Sequence, residues 1–288
     1  MFILRCLQST SKHYYSSMAQ VSSIAEQYSS MCKALERRYE KELEQNVPYV
    51  IRLDGVNFKR LTKSLKKPFD PFFTAAMLRV GKVLLSNFHA NTVFVQSDEV
   101  SVFFDGTSGP IPYNGRCLKI ASISAGMASA AFNQAFSGDL ACFDARVFAC
   151  PTSIQMAQVA LWRHLHDCRR NAVNSAGVSS FPHAELQNIG LPELVEKLRA
   201  EKGIDFHTAY PPEAIYGAFI KRALYIKQGY NPKTGEHVPT ERYAIEARSI
   251  DFAKIEGGLA AQEAQMEAML MAKHWTSEHP LGCNIQLD

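Results

Sequence analysis

No stretch of this chain is apolar for long enough to cross a bilayer, so no membrane-spanning helix is expected and membrane is excluded as a partner. No two cysteines form a C-x-x-C pair, and the total of 7 is odd. A disulfide framework is therefore not expected, and the thiols read as reduced in a non-secreted protein. An excess of charge of either sign is also lacking: the formal net charge is only +3, so any nucleic-acid binding has to come from a local basic patch. Internal repeats and low-complexity segments are missing. Acidic residues are absent from the first 25 positions, where Arg5, Lys12 and several hydroxyl residues stand. That pattern in residues 1–17 is how a mitochondrial transit peptide looks, with a cytosolic tail, and so a cytoplasmic protein, as the alternative. What remains is 288 residues at 47% hydrophobic and 20% charged, enough for one large domain or two small ones with a sizeable core.

The stretch Thr92-Val-Phe-Val-Gln-Ser-Asp-Glu-Val-Ser-Val-Phe-Phe104 reads as two apolar strands broken once, at Asp98 and Glu99. Adjacent carboxylates between buried strands are costly unless their charge is compensated. Mg²⁺ is the natural compensator, because it takes a few carboxylate oxygens and completes its shell with substrate phosphates. A solvated hairpin tip would explain the pair as well, were it alone. A partner lies upstream, where the strand Val50–Leu53 ends on Asp54-Gly55. Gly55 permits a sharp turn and close approach of amides to a ligand, which suits a triphosphate. If these strands are neighbours, Asp54 and Asp98 converge on one rim, as two-metal phosphoryl transfer requires. Lys59, Arg60, Lys63, Lys66 and Lys67 follow directly and are placed to meet nucleotide or RNA phosphates, although a solvated charge run is the commoner meaning of such a segment.

In chain order, residues 19–45 carry Ile24, Tyr28, Met31, Leu35, Tyr39 and Leu43 at helical spacing, ahead of Pro48. Asp70-Pro71 caps a helix to about Asn87, and residues 116–137 form another. Residues 141–150 are a strand with Phe143, Ala145, Val147 and Ala149 on one face, and a long helix runs from Pro151-Thr152 to about 177. The order β-α-β-β-α-β predicts an α+β, ferredoxin-like or palm layout, with helices packed on one face of an antiparallel sheet. Residues 219–228 and 236–249 are expected to pair as a hairpin around the Gly229–Gly235 turn, with a helix over 259–274. The organisation that follows is a leader at 1–17, a catalytic domain at 18–177 and a C-terminal extension at 178–288. On the long helix, His164 and Cys168 stand four apart but lack further ligands for a zinc site. Arg163, Arg169 and Arg170, with Lys221 and Arg222 on the late strand, are candidate RNA contacts.

Ile51-Arg-Leu-Asp-Gly55 with Asn57-Phe58, Lys67-Pro68 with Asp70, and Gln96-Ser-Asp-Glu99 together resemble the tRNA-histidine guanylyltransferase superfamily of 3′–5′ polymerases. Phe143-Asp-Ala-Arg-Val147, the Trp162-Arg163 pair, Ser180–Leu186 and Gly229-Tyr-Asn-Pro-Lys-Thr-Gly-Glu236 are similar too, so the likeness spans about residues 45–250. It implies a palm-like domain, usually in homotetramers, that adds nucleotides to the 5′ end of tRNA with ATP and NTPs as substrates. Two Mg²⁺ would be held by Asp54, Asp98 and the Gly55 carbonyl, with Glu99 as a further catalytic acid. Residues 54–59 (Asp54, Gly55, Val56, Asn57, Phe58 and Lys59), together with Ser97 and Asp98, match the nucleotide loop, Lys67 the lysine near the ATP triphosphate, and Asn171 a further nucleotide position.

The departures from the family pattern are specific. The histidine-tRNA enzymes carry His-x-Asn-Asn on the long helix, whereas Asp167-Cys-Arg-Arg-Asn171 here matches only at Asp167 and Asn171. Arg169 stands in place of the histidine, the spacing from Trp162 is one residue longer, and Tyr216 replaces a basic residue before Gly217. The Phe-Pro-His and Tyr-Asn-Pro-Lys-Thr-Gly-Glu stretches resemble the guanylyltransferase-like branch, which repairs truncated tRNA 5′ ends by template-directed addition. The expected activity is therefore template-dependent 3′–5′ addition to tRNA, with single-guanosine addition to tRNA-histidine as the alternative. A palm-type nucleotide cyclase and a non-catalytic tRNA-binding protein are the remaining readings. The cyclase's Gly-Gly-Asp/Glu-Glu/Asp-Phe turn is absent, and a pure binder has no use for clustered acids.

Overall fold

The computed structural model describes residues 26–287, and the 1–17 leader and Ile24 lie outside the described residues. The described residues divide into two compact units, with the boundary between Lys41 and Glu42. In the first, helix α1 (26–37) places Tyr28, Met31 and Leu35 at helical spacing. It ends well before the 45 expected from periodicity. In the second unit, Leu43 N–H donates to the Gly115 carbonyl at 2.9 Å and Glu42 bridges Arg116, so this backbone is extended, not helical.

The second unit begins with β1 (Tyr49–Gly55), short helix α2 (Phe58–Leu61), α3 (Pro71–Phe88), β2 (Thr92–Gln96), β3 (Glu99–Phe104), α4 (Cys117–Ala135) and β4 (Phe143–Ala149). These strands lie in the order β4-β1-β3-β2, all antiparallel, which is the βαββαβ palm arrangement read from the sequence. Asp70 caps α3 as expected, its Oδ1 accepting from the amides of Phe72 and Phe73 at 3.0 Å. Alternation along the strands sorts two cores. Ile51, Leu53, Val93, Val95, Val100 and Val102 pack against α3 and α4.

The other face carries Val50, Phe94 and Phe103, and it is covered as well. A long helix crosses it in three parts: α5 (Ser153–Leu161), a π turn (Trp162–Cys168) and α6 (Arg169–Ser180). A π turn takes more residues per turn than an α-helix, so it absorbs the extra residue in the Trp162–Asp167 spacing. After α7 (Leu191–Lys202), α8 (Phe206–Ala209) and α9 (Pro212–Tyr216), strands β5 (Ala218–Asn231) and β6 (Glu236–Ser249) extend the sheet past β2. They pair in register from Phe219–Arg248 to Asn231–Glu236, as the expected hairpin. Helix α10 (Gly258–Met271) packs Met266, Met269 and Leu270 beside α5, and short strands β7 (His274–Trp275) and β8 (Cys283–Ile285) close the sheet on β5 and β6.

Lys221 and Arg222 do not face a nucleic acid. Lys221 is fully buried, and its ammonium donates to Thr92 Oγ1 and to the carbonyls of Asn91, Met269 and Ala272. Arg222 is likewise buried and donates to the Ala90 and Leu85 carbonyls. Their charge is spent on carbonyls at the ends of α3 and α10, so this expectation is corrected: both hold the C-terminal strands to the palm.

Candidate active site

Asp54, next to last in β1, is the register partner of both Glu99 on β3 and Asp144 on β4. Directly opposed residues of an antiparallel pair share a face, so three carboxylates form a row across three strands, on the face crossed by the long helix. Asp98 sits in the turn just before Glu99, and its carbonyl accepts from the Gly55 amide at 3.1 Å. The two acid-bearing segments are thus clamped together, as the neighbouring-strand reading required. Burial pushes the Asp98 carboxyl above the usual range, and the charge of Asp54 adds to it. Repulsion of this kind is what a divalent cation relieves.

Glu99 is buried, and burial pushes its carboxyl up to about 6 against the opposing pull of Arg163 and Arg52. Its Oε2 accepts from Arg163 at 3.0 Å and from Arg52 at 3.4 Å, while Oε1 is buried with no partner. Arg163 also donates to Asp167 at 2.9 Å, Arg170 donates to Asp167 at 2.6 Å, and Gln96 reaches it at 3.2 Å. One network therefore ties the π turn to the acidic turn. Of the three helix arginines expected at RNA, Arg163 and Arg170 are held by Asp167, and Arg169 lies 5.7 Å from the Tyr216 ring centroid.

Seven of the residues selected for nucleotide binding fall into two clefts, and Asp54, Gly55 and Asp98 line neither. Lys67, Ser97 and Asn171 line one of 150 Å³; Val56, Asn57, Phe58 and Lys59 line another of 750 Å³. Ser97 adjoins Asp98 and Val56 adjoins Gly55 in the chain, so each cleft reaches a residue next to the acid-bearing segments. Gly55 is needed for a different reason from the one its turn suggests. A Cβ there would come within 2.4 Å of the Phe58 ring, while the left-handed residue of the turn is Asn57 at φ 58°. The Gly55 and Val56 amides are bonded to the Asp98 and Cys142 carbonyls, which leaves the amides after Val56 to meet a phosphate.

His164 and Cys168 form no metal site. The Phe252 amide donates to His164 Nε2 at 3.2 Å, so Nδ1 carries the proton and donates to the Tyr216 carbonyl at 3.0 Å. Burial pushes the Cys168 thiol up to about 12, far from a ligating thiolate. No cluster of three or more His, Cys, Asp or Glu side chains able to hold a metal occurs among the described residues. Asp54 and Asp98 nevertheless fit Mg²⁺, which needs only one or two carboxylates when substrate phosphates supply the rest. Asp144 was missed from the sequence, although alternation with Phe143, Ala145 and Val147 already put it on the opposite face, with Arg146.

A palm sheet carrying clustered acids at the strand ends, with clefts lined by candidate phosphate-binding residues near them, has the makings of a nucleotidyltransferase site. The family model "Thg1: tRNAHis guanylyltransferase" matches residues 29–151. A bacterial tRNA(His) guanylyltransferase (Thg1)-like protein, solved in complex with ATP, is 31% identical with a TM-score of 0.63, over 67% of this chain and 87% of that one. Another bacterial Thg1-like structure, in complex with GTP, gives 24% identity and a TM-score of 0.60 over 85% of this chain and 99% of its own. The tRNA(His) guanylyltransferase of Saccharomyces cerevisiae gives 21% and 0.55 over 64% and 90%. The chain belongs to the tRNAHis guanylyltransferase (Thg1) family, and its activity is of the tRNA guanylyltransferase-like, nucleotidyl-transferring class.

Proposed function

We propose that this protein is a template-dependent 3′–5′ polymerase that restores truncated tRNA 5′ ends. The observation that carries this reading is the fate of the long-helix positions. Where the histidine-tRNA enzymes have His-x-Asn-Asn, Arg169 lies against Tyr216 and Arg170 is paired to Asp167. Guanidinium groups held against Asp167 and a Tyr216 ring are not set to fork onto a base edge, and neither replaces the histidine and asparagine of that motif. Watson–Crick pairing with the acceptor strand then selects each nucleotide, and the protein needs only shape and phosphate contacts. The 31% identical relative, itself a Thg1-like protein bound to ATP, supports ATP as the activating substrate.

In the first step a 5′-phosphate oxygen attacks the α-phosphorus of ATP and expels pyrophosphate. In the second, the 3′-hydroxyl of the incoming NTP attacks that 5′-phosphorus and the bond to AMP breaks. Asp54 and Asp98, with the Gly55 carbonyl, would hold two Mg²⁺, which when bound neutralise phosphate charge and lower the pKa of the attacking hydroxyl. Lys67 brings an ammonium to the cleft it shares with Ser97 and Asn171, suited to a triphosphate. Glu99 fixes Arg52 and Arg163, and through them the distance between strand ends and helix.

Several tRNAs of different identity, each lacking one to three 5′ nucleotides, are expected to be refilled with bases complementary to the 3′ strand when all four NTPs and Mg²⁺ are supplied. Addition confined to tRNA-histidine, or guanosine added regardless of the opposing base, would favour the single-nucleotide alternative. Mitochondrial import through residues 1–17 belongs to the same proposal, and a reporter fused to that segment that stays cytosolic removes it. So does a homotetramer, for which the exposed Leu224, Ile226 and Tyr243 on one face of the β5–β6 hairpin offer apolar contact area. A monomer in sedimentation equilibrium would dismiss it.

A further inference from the structure

A third groove, of about 570 Å³, lies beside β4, the strand at the end of the sheet. Phe148 and Pro151 form part of its lining, with Gln155, Gln158, Trp162 and Arg163 from the long helix. Trp162 is 49% exposed, whereas the chain's other tryptophan, Trp275, is 7% exposed. The Trp162 ring is held in place: the Arg163 Cζ sits 4.7 Å from its centroid and the His166 ring 5.7 Å away. Arg163 in turn is fixed on Glu99 at 3.0 Å and Asp167 at 2.9 Å. A rigid, half-exposed indole is thus coupled by one side chain to the acid row. On the same face of β4, Arg146 has 62% of its side chain exposed, and among the described residues its one ion pair is a 4.0 Å contact to Asp144.

Taken singly, an exposed aromatic needs no explanation. The combination does. An indole face stacks an unpaired base, side-chain amides answer the donors and acceptors of its edge, and an exposed guanidinium nearby, such as that of Arg146, meets a phosphate. A peptide added along the β4 edge would instead want alternating apolar pockets, and Gln155, Gln158 and Arg163 do not supply them. We propose that this groove binds an unpaired nucleotide of the RNA substrate's 3′ strand, stacked on Trp162, while the acid row acts on the 5′ end. The proposal rests on the function argued above: a 5′-truncated acceptor leaves its 3′ strand unpaired opposite the missing nucleotides, close to the reacting phosphate.

Fluorescence reads this directly, because Trp275→Phe leaves Trp162 as the sole tryptophan. Titration with a 5′-truncated tRNA should quench its emission. The same tRNA with its unpaired 3′ nucleotides removed should bind in a filter assay without quenching. Should Trp275→Phe fold poorly, the wild-type signal minus that of Trp162→Phe gives the same quantity. Trp162→Ala should weaken binding of the intact truncated tRNA about tenfold, the scale of one lost base stack, and Trp162→Phe should restore most of it. Equal quenching by the trimmed tRNA, or none by the intact one despite binding, overturns this site alone. Failure of either tRNA to bind overturns the proposed function, and this site with it. Saturable binding of a peptide with quenching, and no response to RNA, would assign the groove to a protein partner and overturn the proposal.

Discussion

Replacing Asp54 or Asp98 by alanine is expected to lower Mg²⁺-dependent nucleotide addition on the order of 10³-fold or more, the scale on which phosphoryl transfer depends on a charge-stabilising group. Asp54 is the centre of the carboxylate row, in register with Glu99 on one side and Asp144 on the other. Asp98 is tied to Gly55 by a 3.1 Å backbone bond, so removing either side chain leaves the strand ends in place. The loss should therefore appear as chemistry and not as unfolding. Asp98→Ala should even raise thermal stability slightly, because burial and Asp54 both push that carboxyl upward and its charge is unfavourable without a cation. Single-turnover addition to a 5′-truncated tRNA, alongside thermal melts and tRNA affinity, separates these quantities. Either variant retaining activity within tenfold of wild type, with Mg²⁺ as the only added metal, would remove these acids from the chemistry.

Much of this site could be read before any coordinates, because its signals are local. Asp98-Glu99 breaks a strand pair, Asp54-Gly55 ends a strand, and Asp70-Pro71 starts a helix; each is a pattern within a few residues. What could not be read depends on register or on distant partners. Asp144 joins the row only because β4 aligns with β1 residue for residue. Lys221 and Arg222 look like surface charge until the carbonyls that bury them are known, and those lie 48 to 137 residues away in sequence. Arg163 and Arg170 likewise read as free charge in the sequence, and only the fold brings Asp167 and Glu99 to them. The π turn was visible only as a one-residue excess in spacing, and the early end of α1 not at all, since apolar spacing continues through Tyr39 and Leu43 after the helix has ended.

Acid should destabilise the protein through His164, the buried hub that anchors the π turn. Its imidazole is fully buried, bonded as the neutral tautomer to the Tyr216 carbonyl and Phe252 amide, and packed against Phe94, Phe219 and Phe252. Burial is the largest cause that pushes it down to about 4 from the ordinary 6.5. Because the folded value is depressed, this stabilisation is present above pH 6.5 and is lost as pH falls toward 4. The loss from His164 alone is about 2 kcal/mol at pH 5 and roughly 3 kcal/mol when complete. His279, pushed down to about 4 mainly by burial, acts in the same sense. Glu99 opposes them, since its raised value near 6 makes its contribution present below 4.5 and lost as pH rises through 6. The Glu99 share is about 2 kcal/mol at most, less than that of His164 alone, and Asp98, pushed up mainly by burial, acts in the same sense as Glu99. Denaturant midpoints at pH 7.5 and pH 5 should therefore fall for wild type. His164→Gln should begin less stable, having lost its ring packing, and should show a shallower fall. Identical pH slopes for the two proteins would mean that His164 is not the titrating group. Because Arg163 precedes it and holds Glu99, partial loss of this anchor should cost activity at pH 5 before global unfolding begins.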